Sequence, residues 1–289
     1  MFKLFALLAA VTLACIGVAS TTMAAGVAGL GFVLDATHRR SRVELTLRDR
    51  RQTGRHTTSS TYQPAELVGL DQPNFHAGAG PIGFALIREA GRIDCRGRVT
   101  RSNQANGECQ FTPDVRFAAL LASRGIARPT DTQALDLTLV GATSSLVNAV
   151  ADAGYSAATI EDLTGLAALR VTPAYIGELA GSGYKPTHVG DLLAFKALDI
   201  SPAYVKALGR EGYGRIPASE LIQLKALNVT PEFIRGFRDA GYPALSVATL
   251  IQATALDVTP EFVRSLRQPQ ASRLSADELI RLKVAGLMP

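Results

Sequence analysis

Leu227-Asn228-Val229-Thr230-Pro231-Glu232-Phe233-Ile234-Arg235, closed six residues later by Gly241-Tyr242, decides how the second half of this chain folds. Thr before Pro marks a helix start. The hydroxyl can accept from an N–H of the first turn, and proline at the first helical position gives up an N–H that would have no partner there. Phe233, Ile234 and Phe237 then follow at helical spacing. Gly241 suits the left-handed position that ends a helix, and Tyr242 can pack back over the last turn.

The same signals recur every 29 residues on either side. Thr172-Pro173, Ser201-Pro202, Thr230-Pro231 and Thr259-Pro260 keep that spacing, and Met288-Pro289 falls on the next tick. Gly154-Tyr155, Gly183-Tyr184, Gly212-Tyr213 and Gly241-Tyr242 share it, as do Leu163, Leu192, Leu221, Leu250 and Leu279. Several independent columns on one period predict a repeat array. A second helix per unit is read from Ser275-Ala276-Asp277-Glu278, a capping-box pattern, with Leu279, Leu282 and Ala285 as its inner stripe. Asp199, Asn228, Asp257 and Gly286 stand where that helix should end, and these types tolerate left-handed geometry. Helices this short are marginal alone, so the units must stack on one another. The expectation is about five αα-hairpin units forming an α-solenoid over residues 131–289. Its ends are imperfect. Near position 144 the Thr/Ser-Pro signal is missing although Leu146, Val147 and Val150 stay in phase, and Gln270-Ala271 replaces Gly-Tyr after Pro269.

Before residue 130 the pattern changes to strand-like alternation. Val43–Asp49 alternates apolar and polar residues, His56–Tyr62 is rich in Thr and Ser, and Pro81–Arg88 is another strand candidate. Glu89-Ala90-Gly91-Arg92 reads as a turn, after which Ile93, Cys95 and Val99 share a face. Gly107–Thr112 places Cys109 and Phe111 on one face; Pro113 closes it and Asp114 can cap a short helix through Phe117, Leu120 and Leu121. The fold class is therefore α+β: an antiparallel β-domain of at least five strands over residues 26–130, then the helical repeats.

Cys95 and Cys109 fall on the two arms of a hairpin with its tip at Arg101–Asn106. Symmetric pairing about Ser102 sets them face to face, at a separation that suits a disulfide. Closing this 15-residue loop would stabilise the domain by roughly 3 kcal/mol in the chain-entropy model. Two buried free thiols are the alternative.

Met1–Ala24 reads as a secretory signal: Lys3 is the positive start, Leu4–Ala19 the apolar run, and Thr22-Met23-Ala24 a small-residue cleavage pattern. An uncleaved anchor helix and lipidation at Cys15 are the rival readings, and they give the only membrane association expected. Charge divides the chain as the patterns do. Residues 26–139 hold fifteen Arg and no Lys against eleven acids, whereas residues 140–289 balance fourteen bases with fourteen acids. The chain has no Trp, and a net +5 without a dense basic tract falls short of a nucleic-acid signature.

No catalytic motif is legible. His38, His56, His76 and His188 are scattered, so no metal or other cofactor is expected. Gly78–Gly83 lacks the Lys-Ser/Thr ending of a phosphate loop, and Ser59-Ser60 and Ser144-Ser145 lack a nucleophile setting. Arg39, Arg40, Arg42, Arg48, Arg50, Arg51 and Arg55 could meet phosphates or simply coat a solvated strand face. Among the repeats, Lys206, Arg235 and Arg264 share one column and Lys196, Lys225 and Lys283 another, and these are the candidate binding stripes.

Leu227–Arg235 and Ser275–Ile280 resemble the repeats found C-terminal to some β-lactam-sensor-type membrane metallopeptidases and in bacterial secreted envelope proteins. Arg88-Glu89-Ala90-Gly91 and Gly107–Pro113 are similar to the β-region that precedes such repeats in those secreted proteins. The peptidase chemistry does not follow, because no His here is followed by Glu. The expectation is a non-enzymatic periplasmic or secreted protein whose repeats bind an envelope protein. A sensory module of an envelope stress response, or a hydrolase with its site in the β-domain or at the domain junction, are the alternatives.

Overall fold

The computed structural model describes residues 27–37, 42–49, 57–155, 158–266 and 274–286. The segment read as a secretory signal, with Lys3 and Cys15, and His38, Arg39, Arg40, Arg50, Arg51, Arg55, His56, Gln270-Ala271 and Met288-Pro289 lie outside the described residues.

The first half is one antiparallel sheet of seven strands: β1 (Val27–Ala36), β2 (Val43–Asp49), β3 (Thr57–Tyr62), β4 (Leu67–Val68), β5 (Pro81–Arg88), β6 (Gly91–Arg101) and β7 (Gln104–Pro113). Their order is β3-β2-β1-β7-β6-β5-β4, so two meanders join through the β1–β7 ladder. The outer strands β3 and β4 are linked by only Gln63–Glu66. Alternation fills the inner face with Leu30, Phe32, Leu34, Val43, Leu45, Leu47, Ile93 and Phe111, all buried.

A pair of glycines lets the sheet curl. Gly97 and Gly107 are direct partners across β6 and β7, and Phe32 is opposite Gly107 on β1. A Cβ on Gly97 would lie 2.0 Å from the Asn106 carbonyl oxygen, and one on Gly107 only 2.7 Å from the Phe32 ring. Flat strands spaced ~4.8 Å apart would hold the β1 and β5 backbones ~14 Å apart. Instead Phe32 and Phe84 meet edge to face, with centroids 5.2 Å apart.

The expected cysteine register is present: Cys95 pairs with Cys109 and the two are disulfide-bonded. The hairpin tip is tighter than Arg101–Asn106. Ser102-Asn103 alone makes the turn, Asn103 taking φ 65°, and β7 starts at Gln104. Against that tip packs α1 (Gln72–Ala77), capped by Asp71 and held by the bond from Asn103 N–H to the Phe75 carbonyl.

The second half is helical. It runs through α2 (Val115–Ser123), α3 (Asp131–Val140), α4 (Ser144–Asp152), α5 (Ile160–Ala168), α6 (Pro173–Gly181), α7 (Val189–Ala197) and α8 (Pro202–Leu208). After a π-turn at Gly209–Tyr213 come α9 (Ala218–Ala226), α10 (Pro231–Asp239), α11 (Val247–Ala255), α12 (Pro260–Ser265) and α13 (Ala276–Val284). Thr172, Ser201, Thr230 and Thr259 each accept from the N–H three residues on, with proline at the first helical position. Thr143 caps α4 the same way without a proline, and Asp114 caps α2. Both fall on the same 29-residue spacing, so the helix expected after Asp114 is present and joins that register although its start lacks proline. Each helix packs on the one two places further along, in two rows: α2, α4, α6, α8, α10, α12 and α3, α5, α7, α9, α11, α13. The facing columns are buried: Leu163, Leu192, Leu221, Leu250, Leu279 in one, and Leu166, Phe195, Leu224 and Ala253 in the other. Among the described residues no single helix is long and apolar enough to cross a membrane.

Candidate functional site

The two basic columns of the repeats are placed differently. Lys196, Lys225 and Lys283 each lie over an aromatic ring of the preceding helix: Tyr175 at 5.0 Å, Tyr204 at 5.0 Å and Phe262 at 4.3 Å from the centroid. The two tyrosines also brace the next unit, Tyr175 donating to the Ile200 carbonyl and Tyr204 to that of Val229, both at 2.7 Å. Burial pushes both phenols up to about 12, helped at Tyr175 by the Asp199 carboxylate. In the other column Arg235 pairs with Glu232 at 2.5 Å and with Glu211 at 3.1 Å, and Arg264 pairs with Glu261 at 2.5 Å. Lys206 is exposed. Glu211 is the most enclosed of these acids, 10% exposed, and Arg238 holds it from the other side at 2.9 Å. Apart from Lys206, these columns therefore form a ladder of charges already engaged along the array, and they do not converge on one point.

Convergence occurs where the sheet meets the helices. Helix α3 enters both cores: Leu137 packs among the helices, while Ala134, Leu135 and Leu139 pack into the sheet. The Tyr62 hydroxyl donates to the Leu139 carbonyl at 3.1 Å, and the Glu89 carboxylate accepts from the Ser144 N–H at 2.7 Å at the start of α4. Arg88, at the end of β5, stands between these contacts and pairs with Glu66. Its Nε is buried without a hydrogen-bond partner and faces Gly141, where a Cβ would lie 3.9 Å away. Burial alone would raise Glu66. The Gln63 N–H and the Arg88 and Arg42 guanidiniums outweigh it and hold the carboxyl below the usual range.

Two clefts open on either side of Arg88. One, about 640 Å³, is lined by Glu89, Asp114, Arg116, Thr143 and Ser144. The other, about 690 Å³, is lined by Arg42, Ser60, Gln63, Glu66 and Gly141, with Arg170 on its far wall. Arg170 ends α5 with φ 55°, where the same position of other units holds Gly141, Asp199, Asn228, Asp257 or Gly286. Reading the sequence picked out Arg42 among the arginines of the first half but not Arg88 or Arg170 as partners. The only local signal was an arginine standing in a column of residues that tolerate a left-handed backbone.

Among the described residues, the serines and histidines singled out from the sequence form no nucleophile–base pair. Ser59 shares its hydrogen with Thr46 at 2.7 Å and Ser145 with Thr143 at 2.9 Å, hydroxyl to hydroxyl rather than to a base. His76 Nδ1 meets the Asn103 side-chain oxygen at 2.5 Å, and His188 precedes α7 without a side-chain cap. Among the described residues no cluster of His, Cys, Asp and Glu could hold a metal ion. Comparison with protein-family models and with curated proteins finds no match.

Proposed function

We propose that this is an exported, non-enzymatic envelope protein whose helical half is an α-solenoid, and that the solenoid's surface binds a protein partner. One observation carries the reading: the helix starts at Asp114, Thr143, Thr172, Ser201, Thr230 and Thr259 stand in one 29-residue register, and each helix packs on the one two places on. Counting from Asp114, the array has six units. Nearest-neighbour stacking of this kind yields an extended, nearly one-dimensional surface rather than an enclosed site. The Cys95–Cys109 bond suits an oxidising compartment, and the sequence of residues 1–24 supplies the export signal.

The test has two arms. Residues 1–30 fused to a reporter active only outside the cytoplasm should give signal; silence would remove the export half of the reading. For binding, a photo-crosslinking residue placed at Lys206, Arg235 or Arg264 in the producing cell should trap a discrete adduct. The same residue at Arg98, on the outer face of the sheet, should not. Equal adducts from both places, or none from the helical column, would contradict a partner surface on the solenoid.

A further inference from the structure

The cleft of about 690 Å³ between the sheet and α5 has the makings of a ligand site that the partner-binding reading does not use. Three arginines from distant parts of the chain line it: Arg42 before β2, Arg88 at the end of β5, and Arg170 after α5. One carboxylate, Glu66, faces them. Glu66 neutralises Arg88 and lies within electrostatic reach of Arg42, which leaves two positive charges in excess over the four groups. Arg170 engages no carboxylate among the described residues.

Arg42 is anchored through its backbone and Arg88 through its side chain. The Arg42 carbonyl accepts from both the N–H and the hydroxyl of Thr37, at 3.0 and 3.1 Å. Arg88 is fixed by Glu66 and packs over Gly141. Arg170 sits at a left-handed residue, where a long side chain costs backbone energy that glycine would not. Elsewhere in that column the chain uses Gly, Asn or Asp. It departs from them only where the side chain reaches this cleft. A strained residue kept at the wall of a basic cleft is the pattern expected of a binding group.

We propose that this cleft binds a small molecule through a phosphate monoester, with Arg170 and Arg42 as its principal charge partners. Guanidinium forks match the oxygens of phosphate, and a phosphate monoester brings close to two negative charges at neutral pH, which meets the excess of two. Ser60 and Gln63 at the rim can add neutral donors.

The experiment is calorimetric titration of the mature, disulfide-bonded protein at low salt with inorganic phosphate, phenyl phosphate and malonate in turn. Phosphate should bind to one site, and phenyl phosphate at least as tightly. Arg170→Gly is the deciding variant: it removes the guanidinium and relieves the left-handed residue, so its unfolding midpoint should hold or rise while affinity falls about tenfold or more. Arg42→Gln should weaken binding similarly, and Lys206→Gln, on the helical surface, should leave it unchanged. Unaltered binding by Arg170→Gly would overturn the site. So would equal weakening by Lys206→Gln, since the attraction would then be general. Malonate binding as tightly as phosphate would overturn the phosphate assignment and make the ligand a carboxylate. The outcome does not depend on any protein partner, so failure here leaves the reading of the solenoid surface standing.

Discussion

Cys95 and Leu224 are both buried, yet they depend on different kinds of neighbour. Cys95 has hairpin partners close in sequence, Phe84 and Cys109, but its sheet is held together by β1, which reaches β7 from some eighty residues away. Leu224 is packed by helices of its own and the adjoining units, all within a short stretch of chain. The sheet is therefore one curled object with β3 and β4 at its edges, tied together by long-range pairing and a covalent link. The helical half is a succession of local objects joined only to their neighbours. Helix α3 couples the two, with Leu137 in one core and Leu135 and Leu139 in the other.

The largest effect should come from burying a charge in each place. Leu224→Asp should cost on the order of 3–5 kcal/mol, because it combines a lost apolar contact with an unpaired buried carboxylate. Helical circular dichroism should fall while the sheet and its disulfide persist. Leu137→Asp lies on the coupling helix and should loosen both halves together. If the two substitutions behaved alike, the halves would not be separate cooperative units coupled through α3.

Next in size is the disulfide. Cys95→Ala with Cys109→Ala frees a 15-residue loop and should destabilise the sheet by roughly 3 kcal/mol, with the helical transition little moved. Thermal unfolding followed by far-ultraviolet circular dichroism for the helices and by amide exchange of β6 and β7 for the sheet would resolve the two.

Alkali should act in the opposite place. Six of the seven tyrosines lie after residue 130, and Tyr175, Tyr184 and Tyr204 are raised to about 12 by burial, with Asp191 and Asp199 adding to Tyr184 and Tyr175 respectively. A phenol harder to ionise when folded contributes stability that is whole below the unfolded value of about 10 and is lost as pH rises toward 12. Helical signal should thus decay in that window, in step with tyrosinate absorbance. Helices that survived with every phenol ionised would mean the hydroxyls do not brace the units.

The smallest effects are at single caps. Thr230→Ala removes the acceptor for the Phe233 N–H and should cost about 1 kcal/mol. Arg170→Gly should instead gain up to about 1 kcal/mol by relieving the left-handed residue. Chemical denaturation of the two variants would show shifts of opposite sign.

What could be read from the sequence follows the same division. Caps, left-handed ends and inner leucines are local, so the repeats announce themselves; α2 is legible from its Asp114 cap, but with no proline at its start or at that of α4 their place in the register is fainter. The Cys95–Cys109 register was legible because a hairpin is also local. Strand β1 was not read, because Val27–Ala36 is nearly unbroken apolar and glycine sequence directly after an apolar leader, and burial at the centre of the sheet leaves little polar alternation. The β1–β7 closure and the meeting of Arg42, Arg88 and Arg170 depend on chain ends far apart, and no spacing encodes them.

Native-state hydrogen exchange of the mature protein, resolved by peptide, tests the contrast most directly. Amides of β6 and β7 should open only with global unfolding of the sheet, all at one free energy. Protection in the helices should step down unit by unit from α5 toward α13, as expected of a stack whose far end has one neighbour fewer. One common opening free energy across sheet and helices would contradict the account.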